Sequence, residues 1–170
     1  MALSKIQSES VNLADNFAFT GTITGAGGGK VLQCLHTSTT STVANTTTTF
    51  ADLTGMTLTI TPSATNSLIF ISASIAFAAG RSGNVDVHAR TQLLRDSTHI
   101  SGKDQRTYDY GVGGIYNAST LSYSFVDQPS TTSAVVYKFQ AKKVAADTAQ
   151  SAMNPESNNR SSMVILEIAP

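Results

Sequence analysis

The chain has 170 residues, of which 13% are charged, with 11 acidic side chains balanced by 11 basic ones. That length suits one domain with an appendage and is enough to bury a core. Balanced charge excludes long-range attraction to nucleic acid or to an anionic membrane, and a single cysteine, Cys34, excludes an internal disulfide or a thiol pair for a metal.

About a quarter of the residues are Ser or Thr, and Trp is absent. This mixture favours strands and turns over helices. The opening residues lack the charged start and apolar run of a secretion signal. No stretch reaches the roughly 18 apolar residues of a membrane-spanning helix. The longest apolar region, residues 68–79, is broken by Ser72 and Ser74. The expectation is a protein made and folded in a cytosol.

Residues 1–24 read as an extended arm. Val11, Leu13, Phe17, Phe19 and Ile23 all fall on odd positions, with Asn, Thr and Ala between them. Alternation at period two means one apolar face on an extended segment. A helical reading through Leu3, Ile6 and Leu13 competes only for the first turns. Such a stripe cannot hide itself. It must lie on its own domain, on a sister chain or on a different protein.

Residues 25–29 contain Gly25, Gly27, Gly28 and Gly29, followed by Lys30. A phosphate-binding P-loop needs a glycine five positions before Gly29 and a Ser or Thr after the lysine. Thr24 and Val31 stand there instead. A dinucleotide loop needs a third glycine where Lys30 lies, and a helix after it. Both nucleotide readings fail, and the segment reads as a flexible joint. With it, 29 extended residues span about 95 Å.

From Lys30 onward, strands follow one another between turn signals. Residues 31–37 form the first. Residues 46–61 carry a second, clearest where Met56, Leu58 and Ile60 alternate with threonines, and Pro62-Ser63 ends it. Residues 68–77 are apolar on both faces at their start, which predicts a central strand. Residues 80–84 turn. Alternation resumes from Val85 to Leu93, Arg95-Asp96-Ser97 make a tight turn, and Thr98 begins the return. Residues 102–118 read as a long loop. Leu121, Tyr123 and Phe125 alternate up to Asp127-Gln128-Pro129, and Val135, Tyr137 and Phe139 alternate in the next strand. Residues 144–160 read as a second long loop, and residues 163–168 as the last strand. About eight strands at this spacing predict an all-β, jelly-roll-like β-sandwich over residues 30–170.

Chemistry is sparse. The carboxylates Asp104, Asp109, Asp127, Asp147, Glu156 and Glu167 show no spacing that marks a glycosidase pair, and read as solvated. No Gly-x-Ser-x-Gly elbow is present. Cys34 and His36 share a strand face, but no third ligand accompanies them, so Cys34 reads as a buried thiol. His88 reads as a surface histidine. Asn45, Asn117 and Asn159 head chance matches to the glycosylation sequon. No catalytic, cofactor-binding or metal-binding residue is assigned. The strongest binding candidate is the tyrosine-rich loop with Arg106, Tyr108, Asp109, Tyr110 and Tyr116. Its flat amphipathic rings suit sugar faces, such as host surface glycans, or a protein interface, including a sister subunit.

Four stretches carry a likeness: LSKIQSESVNLADNFAFTGTITGAGG at the start, LLRDSTHISGKDQR, FVDQPSTTSAVVYKFQAK, and NNRSSMVILEIAP at the end. Over nearly the whole chain the sequence resembles short virion structural proteins of tailed bacteriophages, of the tail-fibre or decoration kind. The resemblance implies an N-terminal attachment arm bound to a capsid or tail protein, a C-terminal β domain that is commonly trimeric, and a place in the virion. The repeats or coiled-coil shaft of long fibres are missing, which points to a short projection seated directly on a capsid or tail.

Overall fold

A computed structural model describes residues 30–81, 87–107, 115–144 and 150–170 of the chain. The arm and joint expected over residues 1–29 lie outside these described residues. Ten strands are described: β1 Val31–Thr39, β2 Val43–Asn45, β3 Ala51–Ile60, β4 Leu68–Arg81, β5 Val87–Arg95, β6 Thr98–Thr107, β7 Ile115–Asp127, β8 Val135–Lys143, β9 Gln150–Met153 and β10 Ser161–Ile168. All their pairings are antiparallel.

β4 organises the first sheet. Along one side it pairs with β7 over its whole length. Along the other it pairs with β10 through Leu68–Ser74 and with β9 through Phe77–Gly80. β1 and β2 then flank β10 and β9. The second sheet runs β3-β8-β5-β6. The pairs β1–β10, β3–β8, β4–β7 and β5–β6 nest inside one another, as in a long hairpin rolled up from its tip at Asp96-Ser97. That nesting defines a jelly roll, and the fold expected from strand spacing is the fold observed.

Alternation explains the core. From β4, Ile69, Ile71, Ile75 and Phe77 point inward, each at most 1% exposed. Tyr137 and Phe139 of β8 meet them from the other sheet, both fully buried. Each such side chain contributes about 1.5–3 kcal/mol by leaving water. The rings of Tyr123 and Phe139 meet edge to face at 4.7 Å between centroids. Thr91 lies in the core, and its hydroxyl hydrogen-bonds that of Tyr123, so neither buried polar group is orphaned. Burial raises the Tyr123 phenol to about 12.

Three sequence expectations are corrected by the strand geometry. Residues 102–118 are not one long loop. β6 continues to Thr107, with Arg106 opposite His88, and β7 starts at Ile115, with the backbone of Tyr116 paired to Gly80. The strand escaped notice because its inward position is Gln105, a polar residue only 7% exposed that bonds Ser119 and the Asn117 carbonyl. Residues 144–160 likewise contain β9, whose Met153 is fully buried. In β3 the inward residues are Leu53, Met56 and Ile60, with Leu58 only half-buried. A bulge between Asp52 and Thr57, with Gly55 at φ +88°, switches the inward positions from odd Leu53 to even Met56 and Ile60, so the strand does not alternate evenly over its length.

Candidate functional site

The strand register divides the sandwich into two ends. At one end lie Lys30, Ile60, Leu68, Arg95, Asp127, Val135 and Ile168. The other end holds Arg81, Val87, Thr107, Ile115, Lys143 and Gln150. The strand ends joined by segments 82–86, 108–114 and 145–149 therefore all belong to the second, distal end.

The proximal end is closed by two carboxylates. Glu167, from β10, faces inward and is inaccessible to solvent. It accepts hydrogen bonds from the Ser63 N–H at 2.6 Å, the Ser67 hydroxyl at 2.7 Å, the Ser63 hydroxyl at 3.0 Å and Gln33 Nε2 at 2.7 Å. Burial pushes its carboxyl up, but these donors together outweigh burial and hold it below the usual range. Asp127, from β7, accepts from Arg95 Nη1 at 2.9 Å through both oxygens and from the Tyr137 hydroxyl at 2.6 Å. Since Arg95 and Tyr137 belong to the second sheet, Asp127 ties the two sheets together. Burial, then the Asp127 carboxylate, raises the Tyr137 phenol well above its ordinary value.

Among the expected carboxylates, Asp104 forms a two-point pair with Arg90, with His88 Nε2 at 3.5 Å. The hydrogen bond from Arg90 lowers the Asp104 carboxyl, but the pair is surface-exposed and stabilises little. Asp104, Asp127 and Glu167 are thus held by separate partners, and two of them are not solvated as the sequence suggested. Asp109 and Asp147 lie outside the described residues. Among the described residues, no cluster of three His, Cys, Asp or Glu side chains could hold a metal, and no helix is long and apolar enough to cross a membrane.

Cys34 is exposed, not buried. It shares the outer face of β1 with His36, while Leu35 turns inward. Asn45, heading one sequon, is 6% exposed and donates to the Ala141 carbonyl while accepting from the Thr47 N–H, a structural role.

Of the predicted binding residues, Arg106 is an exposed strand residue at the distal end of β6, and Tyr116 belongs to the distal end of β7 by its backbone pairing. Tyr108, Asp109 and Tyr110 fall in the segment between them, outside the described residues. Val11, Leu13, Phe17, Phe19 and Ile23 of the arm, with Gly25, Gly27, Gly28 and Gly29 of the joint, also fall outside.

A feature the sequence reading missed is the outer face of the first sheet. Cys34, Leu166, Phe70 and Val126 stand side by side across four strands. Two residues further along each strand come His36, Val164, Ser72 and Ser124, and then Ser38, Ser162, Ser74 and Ser122. Among the described residues, the exposed large hydrophobic ones, Val31, Leu32 and Val126, lie at the proximal end of this sheet. Ser72, Ser74, Ser122, Ser124 and Ser162 line a shallow depression beside them.

No protein-family model matches the chain, and no curated protein matches it. Solved structures do. The subviral particle of infectious bursal disease virus VP2 aligns at TM-score 0.39 and 11% identity, over 94% of this chain and 44% of that one. VP2 in the T=1 particles of the same virus aligns at 0.38 and 11%, over 92% and 41%. Latent PorU from Porphyromonas gingivalis aligns at 0.30 and 10%, over 85% and 14%. The chain spans less than half the length of each. At 10–11% identity the likeness concerns the fold alone.

Proposed function

We propose that the chain is a non-enzymatic structural protein of a bacteriophage particle, made in the host cytoplasm. Residues 1–24 dock on a major capsid or tail protein by strand addition and apolar anchoring through Val11, Leu13, Phe17, Phe19 and Ile23. Residues 25–29 are the joint. The jelly roll projects from the particle as a short fibre or decoration, as a homotrimer, since a closed ring suits a self-paired β domain.

The observation that carries this reading is the separation of the two ends. The domain begins at Lys30, whose carbonyl is bonded by Ala169 at the proximal end. There Glu167 and Asp127 lock the inter-strand segments and the two sheets together. An arm attached at a braced end, with the strand ends that flank segments 82–86, 108–114 and 145–149 at the opposite end, suits a body held at its base. The resemblance of the sequence to short virion proteins supports the same assignment.

Particle incorporation tests it. The double variant Phe17→Ala/Phe19→Ala is expected to keep the sandwich folded, with an unchanged far-ultraviolet spectrum, and to be absent from purified particles. Incorporation at the parental level would count against the arm.

A second reading has its own support. Arg106 and Tyr116 flank the segment holding Tyr108, Asp109 and Tyr110 at the distal end, where a receptor-binding fibre module would present it to host glycans. Glycan-array binding that vanishes on Tyr108→Ala/Tyr110→Ala would favour that role.

A further inference from the structure

We infer that, before the chain reaches a particle, residues 11–19 of its own arm lie along the free edge of β7 as an added strand. The inference rests on the arm of the proposed function and adds the place where that arm is kept.

β7 is the unguarded edge of the fold. Among the described residues it pairs only with β4, through thirteen unbroken positions from Ile115 to Asp127. A free strand edge offers a row of unpaired backbone groups to an extended chain, and edges are normally blunted by shortness, bulges, proline or charge. The other four edges, β1, β2, β3 and β6, carry such devices. β2 has three residues. β1 and β3 shift register between Val31 and Gln33 and between Asp52 and Thr57. β6 holds Lys103, Asp104 and Arg106. β7 is long and keeps its register, with no proline and no charge before Asp127.

Side-chain chemistry selects the occupant. Along β7, Leu121 and Phe125 pack toward the core but stay only partly buried, while Thr120, Ser122 and Ser124 on the other side are small and exposed. A covering strand must alternate apolar with small side chains. Residues 11–19 do so, with Val11, Leu13, Phe17 and Phe19 against Asn12, Ala14, Asn16 and Ala18. One charge, Asp15, interrupts the apolar side. A cation stands ready for it. Lys103 of β6 has the inward parity of buried Thr91, and its Nζ lies 5.4 Å from the centre of the Tyr123 ring. With Asp15 beside Tyr123, Leu13 falls beside Leu121 and Phe17 beside Phe125. Both partly buried residues are then covered, and the lone charge is paired.

Reach agrees. β7 lies three strand spacings from β1, about 14 Å across the sheet. Residues 20–29 extend to about 33 Å, enough to carry the arm from Lys30 across the proximal end to Asp127. The arm then runs parallel to β7. Parallel pairing is the less stable kind per residue, which suits a contact given up when the same apolar residues dock on the particle. Until then a bare edge and an apolar stripe, each a liability in solution, shield one another.

Hydrogen exchange of the full chain, read by mass spectrometry, tests this. Segments 11–19 and 119–127 are expected to be protected together, to the same degree in dilute and concentrated protein. Phe17→Ala/Phe19→Ala is expected to speed exchange in segment 119–127 by about tenfold. Asp15→Lys and Lys103→Asp are each expected to speed it about fivefold, and Asp15→Lys/Lys103→Asp to restore the wild-type rate. Rescue by exchanged charges separates a contact from a folding defect. Exchange in segment 119–127 that is indifferent to Phe17→Ala/Phe19→Ala overturns the inference, and so does a charge exchange no better than either single change. Protection that grows with protein concentration also overturns it, because the occupant would then come from another copy. Particle incorporation is read separately: parental incorporation of Phe17→Ala/Phe19→Ala sinks the virion role, while unchanged exchange at β7 sinks this inference alone.

Discussion

The backbone N–H of Ala169 donates to the carbonyl of Lys30 at 2.8 Å. This bond fastens the first residue of the β domain to the end of its last strand. It places the start of the described β domain at the proximal end.

Glu167 makes stability depend on acid. Its carboxyl is held below the ordinary value in the folded chain. The stabilisation it contributes is therefore present above the unfolded value of about 4.3 and is lost as pH falls through the lower folded value. Glu167→Gln is expected to cost about 1–3 kcal/mol at neutral pH, because buried donors lose a charged acceptor. It should also flatten the acid limb of the stability profile. Urea unfolding of variant and parent across the acid range checks this, and parallel pH profiles would contradict it.

Asn154 pins the gap between β9 and β10. It is fully buried at φ 48°. Its amide donates to the Thr39 and Ser41 carbonyls, its side-chain oxygen accepts from Ser161, and its backbone N–H donates to Ala76. Both Asn154→Ala and Asn154→Gly strip these side-chain bonds, at about 2–4 kcal/mol. Alanine alone also meets the left-handed backbone, so it should be the worse of the two by about 1 kcal/mol. Equal unfolding midpoints for the two variants would show that the backbone imposes no constraint.

Gly55 sits where β3 bulges against β1. A Cβ placed there would come 2.9 Å from Cβ of Thr39, on a backbone at φ +88°. The Thr37 hydroxyl donates to the Gly55 carbonyl at 3.0 Å, so the strand cannot simply move away. Gly55→Ala is expected to destabilise by about 1–3 kcal/mol in urea unfolding. Addition of Thr39→Ala should recover part of that loss but not the backbone component.

Legibility in the sequence followed side-chain chemistry. Where apolar residues alternate, as at Ile69–Ile75 or Val135–Phe139, the strand and its buried face are plain. β6 and β9 are hidden in the sequence because inward positions such as Gln105 and Ser151 are polar: Gln105 Nε2 bonds Ser119, and the Ser151 hydroxyl bonds the Asn45 carbonyl 106 residues away. Cysteine is usually buried, but parity places Cys34 with His36 on the outer face. Glu167 gave no sign of its role, since Ser63, Ser67 and Gln33 lie at least 100 residues away in sequence. The apolar row Leu166–Phe70–Val126 is assembled only by strand register, which pattern alone does not supply.

A density map of the purified phage particle, with a bulky tag fused into segment 145–149, tests the central claim most directly. The account predicts extra density at the outermost tip of a short projection, with Lys30 and Ala169 turned toward the shell or tail. A particle lacking the chain, or one with the tagged end against the shell, would contradict it.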